Sequence, residues 1–314
     1  MSHHHHGHDH SHVHTSNKKV LFVSFLIIAS FMIVEVIGGL LTNSLALLSD
    51  AGHMLSDALS LAIALVAFKL AEKATSQAKT FGYKRFEILA ALFNGATLIL
   101  IALYIFYEAI YRFQSPPEVA SMGMLIISFI GLLVNIIVAV YMFKSGDTEE
   151  NLNMRGAFSH VISDMLGSIG AIIAALLIIF FGWQWADPLA SVIVALLVLR
   201  SGIGITRSAV HVLMEGAPAS VELQAIRTEV ENLPEVINLH EIHVWSITSD
   251  YVAMNAHVVV ADSMTIAESS ALLEKIKHRL LHQGIHHVTI QIETEIACDS
   301  HDLLCQMKHE EHHH

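Results

Sequence analysis

The sequence predicts an integral membrane protein of six helices followed by a small cytoplasmic αββαβ domain. Three observations predict it. Of 314 residues, 54% are hydrophobic and only 15% charged, against about 25% charged in a typical soluble domain. Six apolar stretches are each long enough to cross a bilayer, which takes about 20 residues. Beyond Gly216 the texture changes to short amphipathic and alternating runs.

The chain opens on a polar tract, residues 1–19, crowded with His3, His4, His5, His6, His8, His10, His12 and His14. The histidines are interleaved with Gly, Asp, Ser and Val, unlike the uninterrupted run of an affinity tag. Neutral imidazoles are good metal ligands, and a mobile tract can offer several at once. No cleavable signal is expected, because the first apolar stretch is long for one.

The spans run over residues 20–41, 44–68, 86–110, 122–143, 154–181 and 188–213, so the membrane domain is 20–213. Lys18 and Lys19 precede the first. Lys69, Lys73, Lys79, Lys84 and Arg85 surround the second loop, and Lys144 and Arg155 flank the fourth. The first and fifth loops carry no Lys or Arg. By the positive-inside rule both termini are cytoplasmic.

In the domain spanning 214–297, Val221, Leu223, Ile226, Val230 and Leu233 suggest an amphipathic helix ended near Pro234. Two runs rich in Val and Ile follow, 236–248 and 251–260, joined at Ser249 and Asp250. Thr265 and Glu268 form a capping-box pattern before a second helix. Val288, Ile290 and Ile292 alternate as a third strand. The order αββαβ fits an open sandwich with helices on one sheet face. A tail, 298–314, carries Cys298, Cys305 and further histidines. Two cysteines give no disulfide framework, and a net charge of −12 excludes a nucleic-acid partner, which needs a basic footprint.

The chemistry lies in two pairs. His53 and Asp57 stand four apart in the second span, and His160 and Asp164 four apart in the fifth. That spacing puts both side chains of a pair on one helix face. Two such helices packed together gather two nitrogens and two oxygens, the ligand set of a tetrahedral Zn²⁺ site. Ionisable groups at membrane depth cost about 2.5–3.5 kcal/mol each on insertion scales, and they mark function by default. A lone membrane histidine is more often a helix–helix hydrogen-bond partner; two matched pairs are not. Asp50 is read as an inter-helix contact rather than part of a vestibule. Glu35, Glu87 and Glu108 are read as packing or interfacial residues, and Gly167 and Gly170 as points of close helix approach.

With these pairs, the stretch Ser44 to Asp57, the Phe81–Glu87 run, Asn151 to Arg155, and the His240–Trp245 segment, the chain resembles the cation diffusion facilitator family over nearly its whole length. It is most similar to the bacterial and vesicular zinc transporters with two His and two Asp. The resemblance implies that His53, Asp57, His160 and Asp164 bind the transported ion near the bilayer midplane. It implies a homodimer that exchanges cytoplasmic Zn²⁺ for protons by alternating access. It also implies a metallochaperone-like, ferredoxin-like soluble domain that binds further zinc. There the positions matching family ligands are His240, His257, His286 and Glu293, with Cys298 and Cys305 matching less closely in spacing. His243, His282, His287 and His301 are nearby alternatives. The loop 71–80 has no His or Asp, so the additional loop site of some members is not expected.

Two carboxylates against one Zn²⁺ leave the loaded site neutral, which lowers the cost of carrying it through a medium of low dielectric. Protons and Zn²⁺ compete for the same side chains, because metal ligands must be deprotonated. Imidazole with carboxylate suits Zn²⁺ and the similar Co²⁺ or Cd²⁺. An intramembrane zinc enzyme would need an open water position and a general base, and four filled ligands leave none. A non-transporting metal sensor or heteromer partner is the alternative. Short loops and the lack of sorting signals point to a bacterial inner membrane.

Overall fold

A computed structural model describes residues 11–71, 76–144, 152–248, 251–295 and 302–303; within its helices, some side chains, Asp57 and His160 among them, lie outside what it describes. The chain divides into two compact units. Unit 1 comprises Met1–Gly82 and Leu89–Arg207; unit 2 comprises Tyr83–Ile88 and Ser208–His314.

Six long helices come first: α1 (Ser11–Thr42), α2 (Leu45–Ala71), α3 (Phe86–Gln114), α4 (Ser121–Lys144), α5 (Leu152–Phe181) and α6 (Ala186–Leu213). Among the described residues, four of them are long and apolar enough to cross a membrane: Phe25–Thr42 within α1, Phe86–Gln114, Asp164–Phe181 within α5, and Ala186–Leu213. The apolar stretch Ser121–Ile137 of α4 is shorter.

In unit 1, α1 packs on α2 and α4, α4 on α5, and α2 on α5. Small residues set the approach, as expected where helices associate by close packing rather than by a hydrophobic drive. A Cβ on Gly131 would meet Phe31, one on Gly38 would meet Ile127, and one on Gly123 would meet Thr42. Position rises along α1 as it falls along α4, so the two run antiparallel. Between α3 and α6, Gly95 faces Thr206 and Gly202 faces Leu98. Gly167 has a close neighbour in Asp50, whereas Gly170 faces open space.

The turn between α1 and α2 is fastened. Asn43 takes a left-handed conformation, φ 58°, which asparagine tolerates better than most residues. Arg112 of α3 holds that turn with a hydrogen bond from Nη1 to the Asn43 carbonyl, 2.7 Å, and one from Nη2 to its Oδ1, 3.2 Å. Ser44 then caps α2, its Oγ accepting from the Leu47 N–H at 3.2 Å. Buried Asp187 at the start of α6 accepts from the Ser44 hydroxyl at 2.6 Å and from the first two N–H groups of α2, Leu45 at 2.8 Å and Ala46 at 3.1 Å.

In unit 2 the elements are α7 (Leu223–Glu231), β1 (Asn238–Thr248), β2 (Tyr251–Val260), α8 (Ile266–His282) and β3 (Ile285–Thr294). The sheet order is β1-β2-β3, with β1 antiparallel and β3 parallel to β2. Thr265 and Glu268 close a reciprocal capping box on α8. Val252, Met254, Ala256, Val258 and Val260 share one face of β2 and form one core with Ile226 and Val230 of α7 and Leu272, Ile276 and Leu280 of α8. With a side-chain period of two, the intervening residues, His257 among them, point to the helix-free face.

Candidate metal centres

The helix-free face of the sheet gathers a compact cluster. His240 and His257 are directly paired across β1 and β2. Their rings meet edge to face, with centroids 5.3 Å apart. Glu293 bridges them: its Oε1 lies 2.8 Å from His257 Nδ1 and its Oε2 3.4 Å from His240 Nε2. One ligand atom from each of the three falls within 4.8 Å of the others. His240 is buried, and His257 and Glu293 are partly buried.

A β-bulge makes this possible. Leu239, Ile242 and Val244 all enter the core, an interval that strict alternation forbids. The register shifts between His240 and His243, and Glu241 sits at φ 49°. The extra residue turns His240 to the helix-free face while its neighbours stay in the core. Glu241 itself comes within 3.7 Å of His257 Nδ1. Nothing in the spacing singled out Glu241, because the signal is a backbone conformation. The bulge also accepts the tail: Glu241 and Ile242 donate their N–H groups to the carbonyls of Asp302 and Leu303.

His286 does not join the cluster. It stands at the opening of β3, beside a register shift at Val252 and Ala253. Its ring stacks on Tyr251 at 5.6 Å, and its Nδ1 accepts from the Val252 N–H at 3.5 Å. Seven residues of strand separate it from Glu293, about 23 Å at strand rise. The alternation of β3 was legible, but which of its polar residues faced His240 was not. Cys298, Cys305 and His301 lie outside the described residues.

In unit 1, α2 and α5 bring their motifs together. His53 Nε2 lies 3.1 Å from Asp164 Oδ1, both largely buried, at 14% and 12% exposure. One turn away a Cβ on Gly167 would come 2.6 Å from Asp50 Oδ1. These two levels, 50 with 167 and 53 with 164, show α2 and α5 antiparallel. Asp57 and His160 lie on the same helices with side chains outside the described residues. The pair joins one member of each sequence motif, an imidazole from α2 and a carboxylate from α5. Glu108 is accounted for by its ion pair with Arg112, Nε to Oε1 2.9 Å. Glu35, by contrast, is wholly buried.

Comparison with known proteins gives matches over nearly the whole chain. Residues 21–214 match the cation efflux transmembrane domain, and residues 218–295 match the cation efflux protein cytoplasmic domain. A cadmium, cobalt and zinc/H⁺-K⁺ antiporter of Bacillus subtilis is 61% identical over 302 residues, covering 95% of this chain and 97% of the relative. A zinc transporter, ZitB, of Pectobacterium atrosepticum is 44% identical over 301 residues, covering 95% and 92%. A metal cation efflux system protein, CzcD, of Cupriavidus metallidurans is 40% identical over 278 residues, covering 88% and 87%.

Proposed function

The chain belongs to the cation efflux family, the cation diffusion facilitators, and from that premise we propose that it exports Zn²⁺ in exchange for protons. It is a multi-pass membrane transporter rather than an enzyme. The ion is held by His53, Asp57, His160 and Asp164. The observation that carries this reading is the 3.1 Å contact of His53 with Asp164. Extending the antiparallel register of α2 and α5 by one turn brings positions 57 and 160 level, so the remaining two ligands would close the same site. Two imidazoles and two carboxylates give Zn²⁺ its preferred four-coordinate set and a neutral complex.

Exchange follows from ligand chemistry. Each of the four side chains binds either a proton or the metal, so the two compete for one set of atoms. Protons must leave before Zn²⁺ can bind. The names of the relatives extend the cargo to Cd²⁺ and Co²⁺ and the counter-ion to K⁺. In our reading all six long helices span a bacterial inner membrane, with both termini cytoplasmic, and two copies of the chain form a homodimer.

The cytoplasmic cluster of His240, His257 and Glu293 would hold a further Zn²⁺ that senses cytoplasmic metal. Three protein ligands leave one position of a tetrahedron. Cys298 and Cys305, thiolates of the kind that complete such a set, are our candidates for it. His286 is not assigned to this site.

The test is zinc flux into proteoliposomes under an imposed pH gradient, for the intact chain and Asp57→Ala. Gradient-driven uptake that disappears in the variant supports exchange through the membrane site. Zinc binding without gradient-driven flux would instead identify a sensor or a heteromer partner.

A further inference from the structure

Beside the ligands of unit 1 lies a second pair of buried acids. Glu35 of α1 is 0% exposed and Asp50 of α2 is 4% exposed. No N–H or hydroxyl of the described residues reaches either Glu35 oxygen. What Glu35 faces is the carboxyl of Asp50, within hydrogen-bonding reach, with Asp164 as the next charge acting on it. Two carboxylates facing each other away from water repel, and a positive charge shared between them relieves that repulsion.

Room for both carboxyls is left by glycines. The Cβ positions of Gly131 on α4 and Gly167 on α5 lie 3.3 Å from Glu35 Oε1 and 2.6 Å from Asp50 Oδ1. Ser128 stands one turn from Gly131 on the same face of α4. Between the Phe31–Gly131 and Gly38–Ile127 contacts, that position is level with Glu35. Its hydroxyl is also buried without a partner among the described residues. Among the described residues the pocket offers the carboxyl oxygens of Glu35 and Asp50 and the hydroxyl of Ser128; the titratable groups around it are Glu35 on α1, Asp50 and His53 on α2, and Asp164 on α5. An all-oxygen set suits hard cations and is a poor match for Zn²⁺.

We propose that Glu35 and Asp50 form a monovalent-cation site inside the helix bundle, separate from the metal ligands, that carries one counter-ion of the exchange. The proposal rests on the exchange reading above. A divalent ion bound at Asp164 adds positive charge nearby and expels the monovalent ion; release of the metal restores it. A proton shared between the two carboxyls and an alkali cation held by their oxygens have the same electrostatic role, and the experiment separates them.

Full-length protein in proteoliposomes is compared with Glu35→Gln and Asp50→Asn. The maximal zinc concentration ratio is read under a pH gradient and, separately, under a K⁺ gradient, and zinc affinity is titrated in detergent. Losing one exchanged proton lowers the ratio sustained by one pH unit about tenfold. A fall of about that size in both variants under the pH gradient, with zinc affinity within about threefold of the parent, supports a shared proton. The same fall under the K⁺ gradient alone supports an alkali cation. Ratios unchanged under both gradients overturn the proposal, as does loss of zinc binding in Glu35→Gln. A parent that accumulates zinc under neither gradient removes the exchange reading and this site with it. Asp50→Asn carries the readout by itself if Glu35→Gln does not fold.

Discussion

Removing the Asp187 carboxylate tests how the membrane site is positioned. This side chain is fully buried and accepts three hydrogen bonds at the start of α2, from the Ser44 hydroxyl, the Leu45 N–H and the Ala46 N–H. Arg112 Nη1 lies 3.9 Å away. Hydrogen bonds to a charged acceptor contribute about 1.5–3 kcal/mol each, though not additively. Breaking a buried charge arrangement by deleting one partner costs about 3–5 kcal/mol. Asp187→Ala is therefore expected to destabilise unit 1 by about 4 kcal/mol, since it strands two N–H groups and a hydroxyl and removes one of the acids around Arg112. Asp187→Asn keeps one acceptor oxygen and should lose about half as much. His53 follows about two turns along the same helix, so a frayed first turn also loosens the ligand. The assays are thermal unfolding in detergent and calorimetric titration with Zn²⁺. An unchanged midpoint and unchanged zinc affinity in Asp187→Ala would refute the reasoning, and would mean that α2 is anchored by its apolar contacts alone.

Two further predictions concern unit 2. The double variant His240→Ala, His257→Ala should abolish the stabilisation of unit 2 by added Zn²⁺, and a chelator that lowers the parent's unfolding temperature should leave the variant unaffected; an equal response of both proteins would place cytoplasmic zinc elsewhere. The hydrogen bond from the Thr265 N–H, followed by that of its side chain, holds the Glu268 carboxyl below its ordinary range. A depressed folded value means the cap stabilises above the unfolded carboxylate range and that this gain fades as pH falls through the folded value. Glu268→Gln, which removes the titrating carboxyl, should therefore flatten the acid limb of unit 2 unfolding, followed by circular dichroism against pH; an acid limb identical to the parent's would remove the capping box from the account.

Most of the secondary elements follow from short stretches of the chain. Apolar runs bounded by charge and turn residues located the long helices, because length and hydropathy are local properties. The spacing of His53 with Asp57 and of His160 with Asp164 is likewise local, as is the Thr265–Glu268 cap. Family membership was legible for the same reason, in contiguous motifs. Which distant residues meet, by contrast, depends on long-range packing. The bulge at Glu241 swings His240 to the face shared by His257 and Glu293, while a second register shift leaves His286 on Tyr251 at the far end of the strand. Period-two alternation holds until an extra residue is inserted, and that insertion is a left-handed backbone angle with no side-chain signature. Glu35 read as one polar residue in an apolar helix. Its burial against Asp50 depends on α1, α2, α4 and α5 closing around it through Gly131 and Gly167, a long-range packing event that no window along the chain contains.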